Sequence, residues 1–171
     1  CGVYNGNTLA FIGEINDELN LNKKIWGYDT FDGFVENSFT DNDIDLKTGK
    51  KVSYDSADIF YSLEEVKKNI IKNNKKNFEK YILVPGDILE TLNFKDNIPN
   101  KISFLRLDTD IYKTTKKQLE FLYEKLVPGG VLHIDDYGIC PGVKTAVDDF
   151  FYNQDIWLHR VDIACRYLIK K

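Results

Sequence analysis

Five aspartates in this sequence directly follow short apolar runs, and they are the first candidates for chemistry. Asp29 follows the apolar run 25–28, Asp108 and Asp110 follow the run 102–107, and Asp135 and Asp136 follow the run 131–134. If the runs are parallel strands, their carboxyl ends meet at one edge of the sheet. Carboxylates gathered in this way repel one another unless a cation joins them, and Mg²⁺ prefers oxygen ligands. The sequence therefore predicts a divalent cation on Asp108, Asp135 and Asp136, with helix capping or lysine pairing as the alternative.

A second candidate site lies at the start of the chain. Gly2 and Gly6 flank a strand-to-helix turn, where a backbone without side chains can approach a ligand at the amino end of a helix. Asp29, one βα unit later, suits an acidic residue that accepts hydrogen bonds from ribose hydroxyls. The spacing does not separate NAD from S-adenosylmethionine. Plain turn glycines and a helix N-cap role for Asp29 remain alternatives.

The elements that must position these residues alternate between strand and helix patterns, which indicates an α/β fold. Residues 1–4 resemble the end of a strand, and a helix over 8–19 is predicted with Leu9, Ile12, Ile15 and Leu19 on its inner face. Ser62 and Glu65 form a capping-box signature. It opens a helix over 62–74 whose apolar stripe is Leu63, Val66, Ile70 and Ile71.

The second half of the chain continues the pattern. The predicted elements are a strand over 81–84, a strand over 102–107, a helix over 114–126, a turn at 127–130, a strand from 131, a helix over 143–152 and a hairpin over 156–169. We expect a Rossmann-like, mostly parallel sheet with helices on both faces and a C-terminal antiparallel hairpin. The segment 35–61 is long, acidic and turn-rich, which indicates an insertion or lid within a single domain over 1–171.

Composition excludes several classes of protein. The 171 residues are 43% apolar and 29% charged with a net charge of −4, which is unlike a disordered chain or a nucleic-acid-binding protein. No run approaches the roughly 20 apolar residues of a membrane span. Three scattered cysteines indicate neither a disulfide framework nor a zinc site. We expect a cytoplasmic protein, and the absence of methionine suggests a piece of a longer chain.

The remaining distinctive side chains predict packing roles. They are His133 and His159 as packed or surface residues, Cys140 and Cys165 as core residues with no base beside them, and Trp26 and Trp157 as core residues.

The run LRLDTDIYKTTKKQLEFLYEKLVPGGVLHIDDYGICPGVKTAVDDF, residues 105–150, resembles the macrocin O-methyltransferase (TylF) family. CGVYNGNT at the start looks like the glycine motif of that family, and YDTFDGF after the first complete strand looks like its acidic motif. SLEEVKKN and PGDILETL follow in the expected order, so the likeness covers nearly the whole chain. LRLDTDIY and DDYG are its specific parts.

The resemblance implies a class I methyltransferase that uses S-adenosylmethionine and Mg²⁺. The implied metal ligands are Asp108, Asp135 and Asp136, and Asp108 also receives the proton of a substrate hydroxyl. On the cofactor side, Asp29 would hold the ribose, Gly2 and Gly6 would border the methionine part, and Asp87 and Ile88 would lie near the adenine. The implied acceptor is a small molecule, such as a sugar or glycoside, although a phenol is not excluded.

Departures from the family pattern keep alternatives open. The family has a first strand, an acidic residue and a helical segment before the position of Cys1, and we expect these parts to be truncated here. A non-catalytic binding protein of the same fold is therefore one alternative. A phosphohydrolase is another, because Asp108 and Asp110 form a DxD pair, although Tyr112 stands where that superfamily has Thr or Val. Oligomeric state is open, with a homodimer as one option.

Overall fold

The computed structural model describes residues 1–44, 60–74 and 78–171, and its fold is α/β, as predicted. The described residues fall into two compact units. The first lies within Cys1–Phe34 and Tyr54–Asp87, and the second within Val35–Ser53 and Ile88–Lys171. None of the helices in these described ranges is long and apolar enough to cross a membrane.

Among its described residues, the first unit contains two α-helices and a pair of parallel strands. These are α1 (Asn7–Glu18), β1 (Ile25–Asp29), α2 (Leu63–Asn73) and β2 (Tyr81–Pro85). β1 pairs with β2 in a continuous register that runs from Ile25 opposite Tyr81 to Asp29 opposite Pro85. Seven of the buried apolar side chains of the unit form a core cluster, made of Val3, Leu9, Ile25, Phe31, Val66, Ile70 and Tyr81.

The inner face of α1 differs from the predicted one. Ile15 and Leu19 are exposed, whereas Ala10 and Gly13 are buried. A Cβ on Gly13 would lie 1.7 Å from the Tyr81 hydroxyl oxygen, so only the smallest side chain allows this close approach. Leu9 is buried and Ile12 packs against the core, as predicted, whereas Ile15 and Leu19 face solvent.

The capping box of α2 is confirmed. The Ser62 hydroxyl accepts from the backbone N–H of Glu65, and the Glu65 carboxylate accepts from the backbone N–H of Ser62. Val66 and Ile70 are fully buried, but Ile71 is exposed, which corrects the predicted stripe at that position. Because Ile71 directly follows Ile70, it lies about 100° farther around the helix and leaves the buried face.

Among its described residues, the second unit contains three α-helices and a four-stranded sheet. Its elements are α3 (Ile88–Thr91), β3 (Ile102–Leu107), α4 (Tyr112–Leu122), β4 (Leu126–Ile134), α5 (Pro141–Phe151), β5 (His159–Arg160) and β6 (Arg166–Ile169). The strand order is β3-β4-β6-β5, with β3 and β4 parallel and the β4–β6 and β6–β5 pairs antiparallel. The predicted closing hairpin is present in a shorter form.

The predicted turn at 127–130 is wrong, because these residues belong to β4. The N–H of Gly129 donates to the Lys170 carbonyl across 2.7 Å, and the N–H of Lys170 donates to Gly130 across 2.9 Å. The register with β3 shifts between Ile102 and Phe104, which accommodates the extra residues as an irregularity of the strand. Pro and Gly thus mark a distortion of the strand here.

One face of the four-stranded sheet forms the core of the unit. Leu105, Leu107, Leu132, Ile134 and Leu168 are buried, and α4 packs on α5 and on β3. Trp157 was predicted as a core residue, but 75% of it is exposed in the chain segment before β5. That prediction is wrong because the segment 152–158 pairs with no strand and lies at the surface.

Of the predicted lid segment 35–61, the structure describes 35–44, which belong to the second unit, and 60–61, which belong to the first. Asp43 is almost completely buried, and its carboxylate accepts from the N–H groups of Tyr112 and Thr40, each across 2.7 Å. Asp43 thereby caps the first turn of α4. Gly142 makes room for it, because a Cβ at that position would lie 1.9 Å from the Asp43 Oδ1 atom. The rest of the predicted lid lies outside the described residues.

Candidate active site

The parallel strands β3 and β4 end side by side in the second unit. Leu107 and Ile134 are partners in the strand register, and the N–H of Asp135 donates to the Leu107 carbonyl across 2.9 Å. Asp108 and Asp135 therefore begin two adjacent loops. One carboxylate oxygen from each of Asp108, Asp135 and Asp136 lies within 4.8 Å of the other two. The structure thus brings together the three predicted metal ligands.

The loop after β4 holds two of these ligands in a tight turn. The Asp136 carbonyl accepts from the N–H groups of Ile139 and Cys140, across 3.0 and 2.7 Å. Asp136 has a φ of 50° and Asp110, in the loop after β3, a φ of 64°. Aspartate tolerates this left-handed region better than most residues because its short polar side chain can form local hydrogen bonds. The sequence therefore supplies residue types that suit these turns.

Burial and neighbouring carboxylates raise the pKa values of Asp108 and Asp110. Burial raises the pKa of Asp108 to about 6; Arg106 opposes this shift and Asp135 adds to it. Burial also raises the pKa of Asp110 to about 9, with a further contribution from its hydrogen bond to Asp136. A cluster of this kind either retains protons at neutral pH or takes up a cation.

The donor set fits a hard divalent cation. It contains carboxylate oxygens and neither thiolate nor imidazole, as Mg²⁺ sites do and structural zinc sites do not. With Mg²⁺–oxygen distances of 2.0 to 2.1 Å, opposite ligands of an octahedron lie about 4.2 Å apart. The 4.8 Å span of the cluster is close to that separation. Metal ligation by these residues stays a prediction.

Arg106 is a member of the cluster that the sequence analysis missed. One guanidinium nitrogen donates to Oδ2 of Asp108 and another to Oδ2 of Asp135. A signal for this contact was available, because residues two apart on a strand point to the same face. Arg106 and Asp108 stand in that relation at the end of β3.

Cys165 has a histidine beside it, contrary to the prediction that no base accompanies it. Its Sγ lies 3.0 Å from Nε2 of His133 on the neighbouring strand. Burial lowers the pKa of His133, and burial raises the pKa of the Cys165 thiol, so both groups favour their neutral forms. The expectation that Cys165 is a buried core residue is confirmed.

In the first unit, the Asp29 carboxylate holds the turn that precedes α1. Its Oδ2 accepts from the N–H groups of Val3 and Tyr4 across 2.7 and 3.1 Å, and its Oδ1 accepts from the N–H of Phe31 across 2.9 Å. The Thr30 hydroxyl lies 3.4 Å from Oδ1. Residues 30–34 form no helix, so the N-cap alternative for Asp29 is wrong. Its predicted role at a ribose stays a prediction.

The two predicted cofactor glycines lie in this turn. Gly2 has a φ of 71° and donates its N–H to the Tyr28 carbonyl across 3.0 Å. Gly6, with a φ of 85°, directly precedes α1. A Cβ on Gly6 would lie 3.1 Å from side-chain carbons of both Val66 and Ile70. The turn therefore needs glycine at position 6 for the packing of α1 on α2 as well as for its backbone conformation.

Asp87 and Ile88 follow β2, as predicted. Gly86 ends the strand with a φ of 121°, and its N–H donates to the Asp29 carbonyl across 2.9 Å. Asp87 is partly exposed, whereas Ile88 is buried at the start of α3. Contact of either residue with an adenine stays a prediction.

The fold is that of the class I methyltransferases. Over 99% of its length the chain superposes on the O-methyltransferase NovP, with a TM-score of 0.86 and 26% identity, and it covers 69% of that chain. The calicheamicin methyltransferase CalS11 has the same fold, with a TM-score of 0.75 at 22% identity over 98% of this chain and 69% of that one. The protein belongs to the macrocin O-methyltransferase (TylF) family, whose model matches residues 1–170.

The curated relatives are named as O-methyltransferases. Mycinamicin III 3''-O-methyltransferase of Micromonospora griseorubida is 28% identical over 155 residues, which are 87% of this chain and 58% of that protein. Demethyldecarbamoylnovobiocin O-methyltransferase of Streptomyces niveus is 36% identical over 99 residues, 56% of this chain and 35% of that protein. The chain thus spans little more than half the length of the first of these relatives. Family membership argues against the phosphohydrolase alternative.

Proposed function

We propose that the protein is a Mg²⁺-dependent O-methyltransferase that transfers a methyl group from S-adenosylmethionine to a hydroxyl of a sugar or glycoside. The observation that carries the proposal is the convergence of Asp108, Asp135 and Asp136 at the ends of two adjacent strands, in a chain of this family. A sugar acceptor is suggested by a relative from Streptomyces olivaceus, 28% identical over 155 residues, whose name specifies a rhamnosyl-tetracenomycin C 4'-O-methyltransferase.

In this proposal the three carboxylates bind the cation and fix the position of the acceptor. When bound, Mg²⁺ supplies Lewis acidity toward an acceptor oxygen, and S-adenosylmethionine supplies an electrophilic methyl group. The short hydrogen-bonded turn at Asp136 and the strand ladder before Asp108 and Asp135 keep the ligands in place. Rigid ligands orient the acceptor at little further entropic cost, which is a large part of catalysis for a two-substrate reaction.

Asp108 is the proposed proton acceptor. The family resemblance implies this role, and Asp108 lies beside Asp135 and Asp136 in the carboxylate cluster. The acceptor oxygen would attack the methyl carbon while its proton passes to a carboxylate oxygen of Asp108, and the bond from that carbon to the sulfonium sulfur would break so that S-adenosylhomocysteine leaves. The residues of the first unit bind the cofactor in this proposal. The family resemblance implies their separate roles. Asp29 would bind the ribose, Gly2 and Gly6 would border the methionine part, and Asp87 and Ile88 would lie near the adenine.

The test is methyl transfer to glycosides that carry vicinal hydroxyls. The chain is incubated with S-adenosylmethionine, MgCl₂ and a panel of rhamnosides, and products heavier by one methylene group are detected by mass spectrometry. We expect EDTA to stop transfer and excess Mg²⁺ to restore it. Asp135→Ala should abolish transfer without changing S-adenosylmethionine binding, because it removes a metal ligand. Asp155→Ala, a fully exposed matched control, should retain full transfer.

Two results would contradict the proposal. Transfer that persists in EDTA at the untreated rate would remove the metal role. If calorimetry detects S-adenosylmethionine binding but no methyl group is transferred to any hydroxyl compound, the non-catalytic alternative would be favoured. In that case Mg²⁺ binding, measured separately by calorimetry, decides whether the carboxylate cluster retains its metal.

A further inference from the structure

We propose that Arg106 is the resident cation of the carboxylate cluster: it neutralises Asp108 and Asp135 in the metal-free protein and opposes the binding of a divalent cation. The inference rests on the proposed Mg²⁺ site, because it concerns the same carboxylates. It assigns Arg106 the role of setting metal affinity, as a positioning residue that acts through two ligands.

The Arg106 side chain contacts two carboxylates at once. The guanidinium forms a fork, with one nitrogen on Oδ2 of Asp108 and another on Oδ2 of Asp135. The two carboxylates come from the loops after different strands, so one side chain ties both loops together. The planar guanidinium has its donors in a fixed arrangement, which a lysine ammonium cannot reproduce.

Arg106 and the two carboxylates it contacts are partly buried. The side chains of Arg106, Asp108 and Asp135 are only 20 to 25% exposed, so solvent screens their charges less than it screens a surface pair. Each carboxylate deprived of its counter-charge would repel the other in this partly buried place. Arg106 therefore stabilises the protein in the absence of metal.

The Arg106 guanidinium and a divalent cation carry charges of the same sign. A divalent cation held by Asp108 and Asp135 would stand within a few ångströms of the guanidinium. Even with the full dielectric screening of water, a single and a double positive charge about 5 Å apart repel one another enough to weaken binding roughly tenfold. Arg106 and the metal therefore compete for the same negative charge, whether the guanidinium moves away or remains.

This role differs from that of an ordinary structural ion pair. Loss of a structural ion pair lowers stability and disturbs the ligands, so metal binding weakens together with the fold. Loss of a resident cation lowers the stability of the metal-free protein and strengthens metal binding. Two measurements on one variant, with opposite expected directions, separate these roles.

The experiment compares Arg106→Gln with wild type and with the matched control Arg160→Gln. Arg160 is exposed on β5 and donates to the Asp162 carbonyl, so the control loses the same charge away from the carboxylates. In EDTA, we expect the melting temperature of Arg106→Gln to fall by about 3 °C or more. Calorimetry with MgCl₂ should show binding at least about tenfold tighter than in wild type. The control should show neither effect.

Arg106→Lys covers the case in which the glutamine variant does not fold. Lysine keeps the charge but cannot hold both carboxylates, so Mg²⁺ affinity should lie between those of wild type and Arg106→Gln. In wild type, side-chain ¹⁵N NMR follows the same event, since the chain has only three arginines. We expect MgCl₂ to shift the Arg106 resonance and to leave that of Arg160 unchanged.

The outcomes separate this inference from the proposed function. If wild type binds Mg²⁺ and the Arg106 variants bind it equally or more weakly, the resident-cation role is wrong and the metal site stands. If neither wild type nor the variants bind Mg²⁺, both are wrong. If Mg²⁺ binds only when Arg106 is replaced, the resident-cation role is supported in its strongest form.

Discussion

Gly138→Ala tests whether the loop that carries Asp135 and Asp136 depends on close backbone contact with the closing hairpin. A Cβ on Gly138 would lie 1.9 Å from the Ile163 carbonyl oxygen and 3.0 Å from its carbonyl carbon. Real Cβ contacts are essentially never shorter than 3.0 Å, so the loop and the hairpin must separate by at least about 1.1 Å. Both obstructing atoms belong to the backbone, so no side chain can rotate to relieve the contact.

The expected cost follows from two contributions. Forcing an extra carbon into a packed contact costs about 1 to 3 kcal/mol. The hydrogen bond from the Gly138 N–H to the Ala164 carbonyl, 2.8 Å long, would be lost at about 0.5 to 1.5 kcal/mol. The free energy of unfolding should therefore fall by about 2 to 4 kcal/mol, which lowers the melting temperature by roughly 5 to 15 °C for a chain of this length.

Thermal unfolding and Mg²⁺ calorimetry together form the assay. Because Gly138 is two residues from Asp136, we also expect Mg²⁺ to bind about tenfold more weakly, as loss of ligand support typically does. Gly129→Ala is the matched control: a Cβ there meets nothing within 4 Å, and its φ of 79° costs about 1 to 2 kcal/mol without any effect on metal binding. A melting temperature for Gly138→Ala within about 1 °C of wild type would refute the reasoning.

Three further predictions follow from other contacts. Asp43→Ala removes a buried carboxylate that accepts three hydrogen bonds, so we expect urea unfolding to show a loss of about 2 to 4 kcal/mol; exposed Asp41→Ala should lose under about 0.5 kcal/mol. Protons compete with metal at Asp108, whose pKa burial raises to about 6. Mg²⁺ affinity should therefore rise from pH 5 to pH 7, and Mg²⁺ binding should release protons. Calorimetry in two buffers measures both effects, and an affinity that does not change with pH would contradict the prediction. Ser62→Ala should cost about 1 kcal/mol by removing the α2 cap, and equal stability to wild type would exclude a contribution from that cap.

Much of the carboxylate site could be predicted because its information is local. A strand of apolar residues that ends in aspartate is visible in the sequence, and parallel strands present their carboxyl ends at one edge. Asp108, Asp135 and Asp136 could therefore be grouped before the structure was known. The strand bounds of β1, β2 and β3 follow from the same local pattern, to within one residue.

The parts that could not be predicted depend on contacts between distant segments. The approach of His133 to Cys165 depends on the antiparallel register of β4 and β6, which no local pattern specifies. Gly13 lies against Tyr81 on the buried face of α1 and Ile15 is exposed, and the apolar pattern alone does not show that a glycine takes part in that face.

The carboxylate of Asp29 is engaged in hydrogen bonds within the first unit. It already binds main-chain N–H groups on both sides, those of Val3 and Tyr4 on one oxygen and that of Phe31 on the other. If Asp29 binds a ribose as proposed, the incoming hydroxyl would share the carboxylate with these N–H groups or replace one of them. Cofactor binding would then be thermodynamically linked to the rigidity of the chain around Val3, and protection of the Val3 amide from hydrogen exchange should change when S-adenosylmethionine is added.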